Sequence, residues 1–198
     1  MVQAQWLQAL PFSVCVVGSL PVFCIALYYV ALFSWLDVGY MLVLSTMERR
    51  ICISICCSII GLCYLWQQWK PMPTTVYFMD VGQGDGAVIV SPKHRIAVID
   101  TGGLKSFDTG SRIITPFLHS LGKSKVELLI PSHSDFDHIG GGVGLARNMK
   151  VEKLILPKEK LKDDGLQLMQ ELLHYVDKDK VEFARQGKEY DLGGATLN

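Results

Sequence analysis

Two long apolar runs occupy the N-terminal third of the chain. Residues 11–36 contain no Asp, Glu, Lys, Arg or His, and residues 51–69 form a second run that ends near Trp66 and Trp69. About 20 apolar residues cross a bilayer core, and tryptophan favours its interface with water. A cleaved signal peptide is the main alternative for the first run, but no basic residue precedes it and a second run follows. The pattern predicts two transmembrane helices, near 12–34 and 51–69.

After Lys70 the hydrophobic pattern changes to short runs that are typical of a soluble α/β domain. Two prolines in Lys70-Pro71-Met72-Pro73 end the second apolar run and form a stiff linker. Short β-type runs come first, and later apolar residues recur at helical spacing. This order indicates a layered α/β arrangement. The predicted strands are 75–81, 86–91, 95–99, 126–130, 152–156, 180–184 and 188–197, and the predicted helices are 111–121, 139–149 and 163–176.

The distribution of charge agrees with this division. The 198 residues carry 19 basic and 19 acidic side chains, and only five of these lie in residues 1–70. We therefore predict a membrane segment at 1–70 and a soluble domain at 71–198. The net charge of zero gives no global signal for a nucleic-acid partner. All six cysteines lie in the apolar runs, where we expect them to pack as small apolar side chains.

Two arginines determine the expected orientation in the membrane. Arg49 and Arg50 directly precede the second run, whereas Lys70 follows it. Basic residues favour the cytoplasmic side of a membrane. If 51–69 spans the bilayer, the soluble domain lies on the opposite, outer side.

A concentrated group of potential metal ligands follows the apolar strand predicted at 126–130. Four potential metal ligands fall within six residues: His133, Asp135, Asp137 and His138. Imidazole and carboxylate ligands suit a divalent metal, and a loop at a strand end is where α/β folds present reactive side chains. An EF-hand is excluded because the loop lacks the glutamate that this motif requires at its twelfth position. The residues predict a divalent metal site.

This stretch also resembles a known family. His133 to Gly141, H-x-D-x-D-H-x-G-G, is similar to the metal-binding signature of the metallo-β-lactamase fold in ComEC-type competence proteins, which take up DNA. Three further segments resemble elements of that family in the same order: Phe78 to Gly86, Ile99 to Gly103, and Thr115 to Gly122. The resemblance covers about residues 75–198. It implies a partial αββα sandwich of the metallo-β-lactamase type, preceded by transmembrane helices.

The resemblance also implies a function. We expect a multi-pass cell-membrane protein of natural transformation whose outer domain is a nuclease-like hydrolase. DNA, the membrane and the family's channel domain or other competence proteins are the implied partners. Two divalent ions, zinc or manganese, are expected, with His133 and Asp135 at one and Asp137 and His138 at the other. The alternatives are a non-catalytic domain docked to a DNA channel, and a hydrolase of the same fold that acts on an ester or a lactam.

Two aspartates are candidate catalytic residues. Asp137 is expected to orient the attacking nucleophile. Asp85 lies in a glycine turn that the resemblance places beside the metal cleft, and capping of its own turn is an equally good interpretation.

The chain departs from the general signature of the fold in two ways. Asp135 stands where that signature has a second histidine, which makes one metal position harder and richer in oxygen. The later histidine and bridging aspartate of the fold belong to segments beyond Asn198. Because residues 188–197 read as a strand that continues to the last residue, we expect the sequence to be a fragment or a truncated product.

Overall fold

The structure is a computed structural model, and it describes residues 20–36, 45–103, 106–158 and 163–198. Within these residues the chain divides into two compact units between Lys70 and Pro71.

The N-terminal unit contains two apolar helices, α1 (Val22–Trp35) and α2 (Thr46–Trp69). Among the described residues, α2 is the one helix that is long and apolar enough to cross a membrane. Its N-terminus is fixed by reciprocal hydrogen bonds, in which the Ser45 side chain accepts from the Glu48 N–H and the Glu48 carboxylate accepts from the Ser45 N–H. This capping box starts the helix before the predicted residue 51.

The predicted spans differ from these helices in two respects. Arg49 and Arg50 lie inside the first turns of α2 and do not precede it. Helix α1 covers the C-terminal part of the span predicted near 12–34, and the N-terminal part of that span lies outside the described residues. Most large apolar side chains of both helices are exposed in the isolated chain, with Trp69 at 84%.

The C-terminal unit is built on a six-stranded mixed sheet. Strands β1 (Thr75–Phe78), β2 (Gly86–Val90) and β3 (Ile96–Thr101) are antiparallel neighbours. The sheet continues from β3 through β5 (Leu128–Ile130), β7 (Leu154–Leu156) and β8 (Val181–Phe183), all parallel. Two short strands, β4 (Lys125–Val126) and β6 (Lys150–Val151), pair separately. The predicted order, with strands first and strand–helix alternation after them, is confirmed.

Helices cover one face of this sheet. They are a π-helical turn (Gly110–Ile114), α3 (Thr115–Ser120), α4 (Phe136–Ile139), α5 (Gly142–Asn148) and α6 (Asp163–Tyr175). Their apolar side chains, such as Leu118, Leu145 and Leu172, are fully buried in a core shared with Val98 and Leu129 of the sheet. A smaller cluster on the sheet includes Ile89, Ala97 and Leu128 together with Leu192.

Glycines account for two differences from the predicted elements. The helix predicted at 139–149 is two helices, α4 and α5, which are separated at Gly140-Gly141, where the Gly141 N–H donates to the Gly102 carbonyl. The strand predicted at 188–197 is a hairpin of β9 (Tyr190–Asp191) and β10 (Thr196–Leu197). Gly193 and Gly194 turn this hairpin at φ values of 75° and 92°, which β-branched or bulky residues rarely adopt.

An ion-pair cluster joins the last two parallel strands. Glu182 of β8 accepts hydrogen bonds from Lys153, 2.9 Å away, and from Lys188. These two lysines lower the pKa of the Glu182 carboxyl from 4.5 to about 2. The carboxylate therefore stays charged at neutral pH and links the chain before β7 to β8.

Candidate metal centre

The candidate site lies at the carboxyl ends of two neighbouring parallel strands. Ile99 of β3 pairs with Ile130 of β5, so the next residues of both strands emerge side by side. Asp100 follows on β3, and Pro131 leads from β5 into Ser132 and the four predicted ligands. Such strand ends are the usual location of ligand sites in α/β sheets.

Three of the four predicted ligands come together. Ligand atoms of His133, Asp137 and His138 all lie within 4.8 Å of one another. The two imidazole rings have centroids 3.6 Å apart, and His138 Nε2 lies 3.8 Å from Asp137 Oδ2. Asp137 and His138 occupy the short helix α4, whose first turn follows directly from the loop that carries His133. All three side chains are partly exposed, so solvent and a substrate can reach them.

Asp135 lies outside this cluster of described residues. It is the N-cap of α4, and its backbone carbonyl accepts the His138 N–H at 3.0 Å and the Ile139 N–H at 3.1 Å. These bonds hold the turn that presents Asp137 and His138. The assignment of Asp135 as a metal ligand stays a prediction.

A buried aspartate orients one of the histidines. Asp100 is 5% exposed and accepts three hydrogen bonds, from the Ser132 N–H at 2.6 Å, the Ser132 hydroxyl at 2.7 Å and His138 Nδ1 at 2.9 Å. Its backbone has a φ of 54°, in the left-handed region, which Asp tolerates better than most residues. Because a carboxylate only accepts, His138 carries a proton on Nδ1, and in the neutral ring the Nε2 lone pair is left for an ion.

The sequence alone assigns no role to Asp100, which lies within the segment Ile99 to Gly103 that resembles an element of the family. The available signal was an acidic residue at the end of an apolar strand, directly before Thr101-Gly102-Gly103. Its contact with His138 requires the pairing of β3 with β5, which the sequence pattern alone did not supply.

The glycine loop between β1 and β2 packs against the cluster. A Cβ added to Gly84 would lie 1.7 Å from the backbone oxygen of Asp137, so the loop and α4 touch through their backbones. The Asp85 carbonyl accepts the Gly102 N–H at 2.8 Å, and the Asp85 side chain is exposed. In this turn the Asp80 carboxylate accepts a hydrogen bond from the Gly82 N–H at 3.3 Å. Asp85 is therefore placed beside the site, and its catalytic role stays a prediction.

Replacing Gly84 by alanine tests this contact. We expect Gly84→Ala to displace the loop or α4 and to weaken zinc binding at least about tenfold, because the new methyl overlaps the Asp137 backbone. Gly187→Ala is the matched control, since Gly187 has a φ of 75° but no heavy atom within 4 Å of its added Cβ. It should lose only about 1 kcal/mol of stability. Zinc titrations and thermal unfolding measure both effects, and equal zinc affinity in the two variants would contradict the packing described.

The donor set fits a divalent metal. Two imidazoles and a carboxylate are ligands for zinc and manganese, and bonds of about 2.0–2.2 Å can join atoms at this separation after a small closure. The segments 79–86 and 131–142 together contain four aspartates and neither Lys nor Arg. A cation bound there balances this concentration of carboxylates.

Comparison with known proteins agrees with the fold. Residues 79–197 match the family model of the metallo-beta-lactamase superfamily. The chain is 31% identical to "ComE operon protein 3" of Bacillus subtilis (strain 168), in an alignment of 140 positions that covers 61% of this chain. It is 32% identical to "Uncharacterized protein YcaI" of Escherichia coli (strain K12), in an alignment of 114 positions that covers 54% of this chain.

These matches cover 18% and 15% of the two relatives, so the chain spans less than a fifth of their length. They confirm the predicted resemblance to ComEC-type proteins. Because the family model matches residues 79–197, most of the C-terminal unit and more than half of the chain, the chain belongs to the metallo-beta-lactamase superfamily.

Proposed function

We propose that this chain is the metal-dependent hydrolase part of a membrane-bound DNA-uptake protein, and that it cleaves phosphodiester bonds. The cluster of His133, Asp137 and His138, with His138 held by Asp100, is the observation that carries the hydrolase proposal. The similarity to ComE operon protein 3 supports a role in competence. DNA as the substrate rests on the resemblance to ComEC-type uptake proteins.

Each residue of the site has a proposed task. The sequence-based expectation divides His133, Asp137 and His138 between two ions, but their ligand atoms lie within 4.8 Å of one another. We therefore propose that they hold one divalent ion together, zinc or manganese, and that Asp135 contributes to a second. Such ions, when bound, supply Lewis-acid stabilisation of the charge that develops on the phosphate oxygens. Asp137 also orients the nucleophile. Asp85, at the rim of the site, is a candidate for contact with the substrate or its leaving group.

The apolar helices support a membrane location. Residues 51–69 of α2 are 19 residues long, and at about 1.5 Å per residue they cover the roughly 30 Å hydrocarbon core. Arg49 and Arg50 then lie at the cytoplasmic interface. We propose a multi-pass membrane protein with the domain from Pro71 onward outside the cell, next to the channel part of the family or other competence proteins.

Reporter fusions test this orientation. A reporter that is active only outside the cytoplasm, fused after Asn198, should be active, and a cytoplasm-specific reporter at the same position should be silent. Replacing Arg49 and Arg50 by glutamine should weaken this preference, because the positive charges that retain the N-terminal end of α2 are removed. The reverse pattern of reporter activity would contradict the proposed topology.

A substrate comparison tests the proposed activity. The intact protein, loaded with zinc or manganese, is given labelled single-stranded DNA, an activated ester and a β-lactam at one fixed salt concentration, since binding to phosphates is salt-sensitive. We expect cleavage of DNA with little turnover of the other two. Preferred hydrolysis of the ester or lactam would replace the DNA proposal. DNA uptake by cells without cleavage by the protein would favour a non-catalytic docking domain.

A further inference from the structure

Ser132 links both histidines of the cluster to the same buried carboxylate. Its hydroxyl oxygen lies 2.7 Å from Asp100 Oδ2, 2.9 Å from His133 Nδ1 and 3.4 Å from His138 Nδ1. Its backbone N–H also donates to Asp100, at 2.6 Å. This second bond fixes the position of the residue independently of the hydroxyl.

Counting protons gives one arrangement for these contacts. The Asp100 carboxylate only accepts, so the single hydroxyl proton of Ser132 lies in the 2.7 Å contact with Oδ2. The Ser132 oxygen can then only accept from His133, and the proton in the 2.9 Å contact belongs to His133 Nδ1. The opposite tautomer of His133 would take the hydroxyl proton and leave two oxygen lone pairs facing each other at Asp100.

We propose that Ser132 is a positioning residue that extends the orienting charge of Asp100 to His133. The hydrogen bonds run from His133 Nδ1 to the Ser132 hydroxyl and from that hydroxyl to Asp100, which His138 Nδ1 contacts directly. Both imidazoles therefore present Nε2 lone pairs for the ion. This inference rests on the proposed metal site for its purpose, but the tautomers themselves are a property of the metal-free protein.

The arrangement predicts that loss of the Ser132 hydroxyl changes the tautomer of His133 but not that of His138. Removing the Ser132 hydroxyl takes away the partner of His133, whereas the 2.9 Å bond between His138 and Asp100 remains. A general loss of structure would affect both rings equally. Ser132→Thr retains a hydroxyl and should restore the relay.

The test uses the metal-free, histidine-15N-labelled whole chain in detergent at a mildly alkaline pH. Two-dimensional 15N spectra report the tautomer of each ring, and zinc affinity is measured by chelator competition. We expect Nδ1–H tautomers for both rings in the parent. Ser132→Ala should move His133 toward the Nε2–H tautomer, leave His138 unchanged and weaken zinc binding about tenfold to a hundredfold. Ser132→Thr should match the parent within a few-fold, as should Ser120→Ala, which removes an exposed hydroxyl from α3.

An Nε2–H tautomer of His133 in the parent would overturn the proposal, and this measurement requires no variant to fold. An unchanged His133 tautomer in Ser132→Ala would overturn it as well. If His133 and His138 of the parent are both Nδ1–H tautomers but the parent binds no zinc, the proposed metal site is wrong and the proposed role of Ser132 is supported. The two proposals therefore fail through different observations.

Discussion

Replacing His133 or Asp137 by alanine is expected to abolish hydrolysis of DNA and to lower the bound metal by at least one ion per chain. Each variant removes one of the three ligand atoms that lie within 4.8 Å of one another. A site left with two protein ligands binds a divalent ion weakly, because zinc sites in proteins use three or four. Metal content by mass spectrometry and cleavage of labelled DNA are measured on the same preparations.

Two variants elsewhere in the domain control for nonspecific effects. His174→Ala removes an imidazole from the last turn of α6, and Asp179→Ala removes a carboxylate from a short helix before β8. Both should retain metal and activity. If His133→Ala keeps both, the assignment of the site is wrong.

Replacing Asp100 by asparagine is expected to lower both the metal affinity and the stability of the domain. The carboxylate accepts three hydrogen bonds at 2.6–2.9 Å. The amide of asparagine cannot accept all three, and it lacks the negative charge of the carboxylate. Leaving a partly buried donor without its partner costs about 1–3 kcal/mol. We expect zinc affinity to fall about tenfold to a hundredfold, because His138 loses the partner that fixes its tautomer. Urea unfolding and chelator competition measure the two effects.

Asp108→Asn is the matched control for this prediction. The Asp108 carboxylate accepts from the Ser111 N–H at 2.9 Å and from the Ser111 hydroxyl at 2.7 Å, in the same pattern as Asp100 with Ser132. It packs against Gly144 of α5 and not against the histidine pair. Asp108→Asn should therefore destabilise the domain and leave zinc affinity intact. A loss of zinc affinity equal to that of Asp100→Asn would show that the effect is one of stability alone.

The ligand cluster was predictable from the sequence because its residues are close together along the chain. His133, Asp137 and His138 fall within six residues after an apolar strand, and a short loop with one helical turn is enough to gather them. The β-type runs at 75–81, 86–91 and 95–99 were likewise correct to within a few residues, since alternation and glycine boundaries are local signals.

The contacts that support the cluster were not predictable in the same way. Asp100 reaches Ser132 and His138 across 32 and 38 residues, and this distance is closed only by the parallel pairing of β3 with β5. The approach of Gly84 to Asp137 depends on the packing of two loops. The observed ends of helices and strands also differ from the predicted ones where a helix cap or a glycine turn sets them, as at Ser45 and at Gly193-Gly194.

The most direct test of the account is restoration of hydrolysis by metal. The intact protein is stripped with a chelator, dialysed, and incubated with labelled single-stranded DNA while zinc or manganese is added in increments. We expect no cleavage by the stripped protein, cleavage that rises with bound metal, and no such rise in Asp137→Ala. Cleavage by the stripped protein, or full metal occupancy without cleavage of DNA, would contradict metal-dependent hydrolysis of DNA by this site.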